Sequence, residues 1–102
     1  MWKTIKQFYN SSEWQKFRLY IIAERSQKHD GQIVCEYCGK AICSSGDAEI
    51  DHIKELSIEN VNDYNISLNP DNVKIACHRC HDLKHVRFET HIDRNIFIVL
   101  GP

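Results

Sequence analysis

Two cysteine pairs, Cys35 with Cys38 and Cys77 with Cys80, restrict this chain more than anything else in it. A Cys-x-x-Cys pair at a tight turn presents two sulfurs on one side, and two such turns facing each other close a tetrahedral four-thiolate zinc site. The 38 residues between the pairs therefore have to return to where they started. Gly39, directly after the second cysteine, permits the tight turn that exposes backbone N–H groups to thiolate sulfur. Disulfides are the competing reading of four cysteines, and compartment decides between the two. The first ten residues hold no continuous apolar h-region, and no run approaches membrane-spanning length. A cytoplasmic, reducing setting is the resulting expectation, with zinc favoured over disulfides. Cys43 falls outside both pairs and reads as a reduced, structurally minor thiol.

At 102 residues the chain has room for one domain, and 42% apolar residues set it apart from disordered sequences. So small a core gains from a metal staple. Residues 1–31 read as helical. Trp2, Ile5, Phe8 and Tyr9 are spaced for a helix, and Asn10, Ser11 and Ser12 interrupt it. Ser12 with Gln15 fits a capping box opening a second helix, which runs to about Lys28 with Gly31 as its end signal. Trp14, Phe17, Ile21 and Ile22 form its core-facing stripe. Ile33 and Val34 are short and extended, residues 48–53 alternate as a strand, and residues 73–76 read as another. Between these strands, residues 55–71 form a long loop with room for one helical turn, of the kind that is functional or disordered. A helix is predicted from Arg79 to about residue 88, and the apolar run at 96–100 either adds a strand or docks on the core.

The net charge of -1 gives no global signature of nucleic-acid binding, but charge is unevenly spread. Residues 47–63 carry six acids against one base, and residues 1–28 six bases against two acids. For residues 1–28 solvated helix faces are the preferred reading. Residues 74–87 carry Lys74, Arg79, Lys84 and Arg87 against Asp82 alone, interleaved with histidines, so these four bases are candidates for phosphate contact.

Zinc does not account for Asp51, His52, His81 and His85. His81 and His85 are four apart on a predicted helix, which puts both on one face as possible ligands to one ion. Asp51 offers a hard oxygen suited to Mg2+ or Mn2+. Pleating sends Asp51 and His52 to opposite faces, so both cannot ligate the same ion. His52 is then placed for general-base work on water, for which imidazole is best suited near neutrality.

Asp51-His52, Asn72, His81 and His85, in this register and bracketed by two knuckles, resemble the motif of the HNH endonucleases. The likeness is to the small phage and bacterial type, and it covers about residues 8–88, including residues 8–11 and 58–63. It implies an α+β fold: a beta-beta-alpha-metal core at about 32–88 with a four-cysteine zinc site, an N-terminal helix packed on it, and a tail at 89–102. It implies a metal-dependent DNA endonuclease acting through one divalent ion (Mg2+, Mn2+ or similar) beside the structural Zn2+. His52 would deprotonate water, and Asp51 and His81 would hold the ion. Asn72 would fix the loop that orients His52. His85 matches a position that is a ligand in some relatives and not in others. By the same analogy, the setting is a bacterial host cell, with DNA as partner and phage terminase or other packaging proteins as a further one. The alternative is a zinc-knuckle module that binds nucleic acid or protein without catalysis, in which Asp51, His52 and His81 are incidental. His78 reads as a surface or phosphate-contacting residue, and His29 and His91 as surface.

Overall fold

The computed structural model describes residues 1–83. Lys84, His85, Arg87, His91 and the run at 96–100 lie outside the described residues, as does the end of the helix predicted from Arg79. Two helices open the chain: α1 at Ile5–Tyr9 and α2 at Ser12–Ser26. Thr4 caps α1 by accepting the Gln7 N–H at 3.0 Å. The cap of α2 is Ser11, one residue before the expected Ser12. Its Oγ accepts the Trp14 N–H at 3.1 Å and donates to the Phe8 carbonyl at 2.6 Å. That second bond decides between two adjacent serines, because only Ser11 also reaches the open end of α1. No capping box forms: Gln15 Nε2 donates to the Tyr9 carbonyl at 3.1 Å instead. Gly31, at φ +86°, ends the segment as expected, its N–H meeting the Ser26 carbonyl at 2.9 Å.

Strands β1 (Ile33–Val34) and β2 (Ala41–Ile42) pair antiparallel around the first knuckle. Strands β3 (Ala48–His52) and β4 (Val73–Cys77) form a second antiparallel pair, with Ala48 opposite Cys77 and His52 opposite Val73. Residues 78–83 turn straight into helix. The expected β-β-α order is therefore present, within an α+β fold. The long excursion from residue 53 to 72 includes the expected helical turn, α3 at Tyr64–Ser67, and a 3-10 turn at Pro70–Asn72.

Pleating gives the β3–β4 pair two unlike faces. Ala48, Ile50, His52, Val73 and Ile75 share one face and are all buried. They meet Phe8, Trp14, Ile21 and Ile22 from α1 and α2, and Val61 from the excursion, in one hydrophobic core. Phe17 packs on its edge. Glu49, Asp51, Lys74 and Ala76 share the other face, toward the knuckles. Arg25, near the end of α2, ties these layers together. Its Nη1 donates to Glu36 Oε2 at 2.7 Å and to the Val73 carbonyl at 3.0 Å, and its Nη2 to the Pro70 carbonyl at 2.6 Å. Glu36 Oε2 also accepts the Ile75 N–H at 2.7 Å. A planar guanidinium suits such a junction because its donors fan out in one plane.

Candidate active site and metal centre

The four knuckle cysteines converge. Their sulfurs all lie within 4.8 Å of one another, the one group of three or more such donors among the described residues. Cys38 Sγ and Cys77 Sγ, from different knuckles, are 3.9 Å apart. A Zn–S bond of about 2.3 Å gives a tetrahedron with edges of about 3.8 Å, so this spacing already suits zinc. The knuckles are built alike: the Cys38 N–H points at Cys35 Sγ and the Cys80 N–H at Cys77 Sγ, each at 3.5 Å. Gly39 adopts the expected positive φ of +81°. Burial opposes ionisation of Cys35, but N–H groups of Cys77, Cys38 and Tyr37 and the Cys38 side chain outweigh it and bring the thiol down to about 6. Cys80 is pushed up to about 12, by burial and then by its sulfur neighbours Cys77, Cys38 and Cys35. Four thiolates cannot crowd together without a cation, and the donor set fits zinc. Cys43 is exposed and outside the cluster.

Asp51 and His52 part to opposite faces, as the alternation predicts. His52 is 5% exposed. Its Nε2 lies 3.0 Å from the Ser67 carbonyl at the end of α3. A carbonyl only accepts, so in this contact Nε2 is the donor. Tyr9 Oη lies 3.4 Å from Nδ1. The imidazole stacks on Trp14, with centroids 5.3 Å apart and planes inclined by 29°, and meets Phe8 and Tyr9 edge-on. Burial, followed by the charges of Asp51 and Glu55, raises the Tyr9 phenol to about 12, so it stays neutral.

On the other face, the Asp51 carboxylate is 6% exposed, and Oδ2 accepts the Tyr37 hydroxyl at 2.6 Å. Tyr37 stands between the two cysteines of the first knuckle. Burial and then the Asp51 carboxylate hold its phenol well above the ordinary range. Lys74, opposite Asp51 in the strand pair, places Nζ 5.4 Å from the Tyr37 ring centroid. A residue read as phosphate-facing therefore also supports this tyrosine.

Asn72 closes the excursion. Its Oδ1 accepts the Lys54 N–H at 2.8 Å, and its Nδ2 donates to the Ile66 carbonyl at 2.8 Å and to the Lys54 carbonyl at 3.3 Å. Ile66 precedes Ser67, whose carbonyl holds His52, so Asn72 anchors both ends of the segment around the imidazole. His81, half-buried on the helical residues 78–83, has Nδ1 3.9 Å from Asp82 Oδ1. Arg79 is exposed. His78 is exposed as expected but faces acids, with Nδ1 2.6 Å from Glu49 Oε2. Asp51, on β3, offers a carboxylate and His81, on the helical residues after β4, an imidazole; among the described residues the four cysteines are the one cluster of three or more such donors.

Three contributors went unread in the sequence: Tyr9, Tyr37 and the Ser67 backbone carbonyl. In the sequence Tyr9 is one of the helically spaced apolar positions, Tyr37 is a spacer between two cysteines, and the carbonyl leaves no mark. Trp14 is core, as predicted, but also forms the wall on which His52 stacks.

Residues 35–87 match the HNH endonuclease family. A protein of Lactococcus phage SK1 named "Probable HNH endonuclease" is 38% identical over 77 residues, spanning 76% of this chain and 73% of that relative. No solved structure matches the chain.

Proposed function

The chain belongs to the HNH endonuclease family, and from that premise we propose that it hydrolyses phosphodiester bonds in DNA with His52 as general base. The observation that carries this is the fixed ring of His52. With Nε2 donating to the Ser67 carbonyl, Nδ1 is the atom that takes the proton from water. Stacking on Trp14 and edge-on contacts with Phe8 and Tyr9 hold the ring in place, and Asn72 keeps the surrounding segment closed. Positioning of this kind is worth much of a barrier, because a ring held ready loses little entropy on reaction. Asp51 and His81 would hold a divalent ion such as Mg2+ or Mn2+, with His85 a further candidate ligand. When bound, that ion supplies Lewis-acid stabilisation of charge on the phosphate and the leaving oxygen. Cys35, Cys38, Cys77 and Cys80 would hold Zn2+ in a structural role.

Arg79, with Lys84 and Arg87, would contact phosphates. Such contacts position a duplex without reading its sequence, so selectivity is expected to be low. A phage setting, supported by the source of the relative, extends the reading to a partnership with DNA-packaging terminase proteins. Co-purification from infected cells tests it, and absence of any terminase component would count against it.

The test is plasmid nicking by zinc-loaded protein with and without Mg2+ or Mn2+, wild type beside His52→Ala and His52→Gln. Ion-dependent nicking by wild type and its loss in both variants are expected, with zinc content unchanged. The Gln variant is needed because Ala leaves a void among Phe8, Tyr9 and Trp14. An active His52→Gln protein would remove His52 from the base's role.

A further inference from the structure

We propose that Tyr37 is a positioning residue for Asp51, holding its carboxylate for the divalent ion and making that ion's binding depend on the first zinc knuckle. The inference rests on the reading of Asp51 as a ligand. Three observations carry it.

Tyr37 is part of the knuckle itself, flanked at one residue's distance by Cys38 and at two by Cys35. Its hydroxyl donates to Asp51 Oδ2 at 2.6 Å, a short bond of the charge-assisted kind. Lys74, the cross-strand partner of Asp51, lies over the Tyr37 ring with Nζ 5.4 Å from the centroid. A carboxylate has two oxygens and a free torsion. Engaging Oδ2 with a fixed donor stops rotation and commits Oδ1 to one direction. Groups that hold a ligand in this way commonly contribute as much to metal affinity as a tenfold to hundredfold change.

The backbone around Tyr37 is set by the knuckle. The Cys38 N–H turns toward Cys35 Sγ, and the Gly39 N–H bonds the Cys35 carbonyl at 2.9 Å. A fold that drew these sulfurs onto zinc would therefore also set the height of the tyrosine hydroxyl over Asp51. Binding at one metal centre would then favour binding at the other, and by linkage the favour is returned.

The experiment measures Mn2+ binding to the full, zinc-loaded chain by electron paramagnetic resonance, comparing wild type, Tyr37→Phe, Asp51→Asn and the double variant. Zinc per chain and circular dichroism are recorded for each. Tyr37→Phe keeps the ring over Lys74 and removes only the donor. The expected result is a Kd for Mn2+ raised about tenfold to a hundredfold, with zinc content and spectrum unchanged. In the Asp51→Asn background, adding Tyr37→Phe should cause no further loss. Unchanged Mn2+ affinity in Tyr37→Phe overturns the proposal. So does loss of zinc, which would make Tyr37 a knuckle residue only, and so does an equal effect in the Asp51→Asn background. Wild type that binds no Mn2+ would refute the catalytic-ion reading and this proposal together, whereas wild-type binding untouched by Tyr37→Phe refutes this one alone.

Discussion

Asn72 gives the sharpest test of how this site is held. Its side chain makes two bonds of 2.8 Å, accepting from Lys54 N and donating to the Ile66 carbonyl, and a weaker one of 3.3 Å to the Lys54 carbonyl. Each good bond contributes about 1 kcal/mol net, and solvent can replace part of the exposed pair to Lys54. Asn72→Ala should therefore destabilise the zinc-loaded protein by roughly 1.5–2 kcal/mol. For a domain of this size, that corresponds to a fall of roughly 6–16 °C in Tm. Asn72→Asp is nearly isosteric, yet at neutral pH it should be at least as damaging as Ala. It keeps the acceptor for Lys54 N but turns a carboxylate oxygen toward the Ile66 carbonyl, where a donor stood. Thermal unfolding at a fixed zinc excess measures both variants. Plasmid nicking should fall in both, because Ile66 leads directly to the carbonyl that holds His52. An Asp variant as stable and active as wild type would refute this account of the anchor.

Zinc removal and pH give two further tests. Stripping the metal with a chelator, or Cys77→Ser, should abolish the near-ultraviolet circular dichroism of the packed aromatics, and added zinc should restore it in the stripped wild type; a native spectrum after quantitative removal would refute the structural role. Tyr9, raised to about 12 from an ordinary value near 10, stabilises the fold in its neutral form. That contribution is complete below about pH 10 and lost as pH rises through 12, so wild type should lose more stability across this window than Tyr9→Phe, and ultraviolet titration should show one phenol fewer near 12 in the variant.

The parts of the molecule that rest on short spacings were legible in the sequence. Two cysteine pairs yield a converged cluster because ligand geometry leaves little choice once the turns form. The opposite destinations of Asp51 and His52 follow from the pleat alone. What escaped depends on contacts between distant parts of the chain. Which of Ser11 and Ser12 caps α2 is decided by the Phe8 carbonyl, a group at the end of the preceding helix. Tyr9 is placed against His52, 43 residues on, by how α1 packs on the strand pair. Tyr37 looks like filler between two ligands until β3 is known to pass beneath it. The apolar stripe of α2 was clear at Trp14, Ile21 and Ile22, while Leu19 and Tyr20 remain exposed, and no periodicity says which apolar residues a helix leaves out.

The wall behind His52 has a consequence for modularity. Trp14, Tyr9 and Phe8, which surround the imidazole, and Arg25, which clamps Glu36 and the Val73 carbonyl, all precede residue 35, where the family signature starts. The signature is thus not a cassette. Grafted into another chain as residues 35–87, it would bring the four cysteines, Asp51 and His52 but leave behind the aromatic surroundings that hold the His52 ring. Any host would have to furnish an equivalent wall, and a gene rearrangement that kept the signature while replacing the first two helices would be expected to preserve zinc binding and lose nuclease activity.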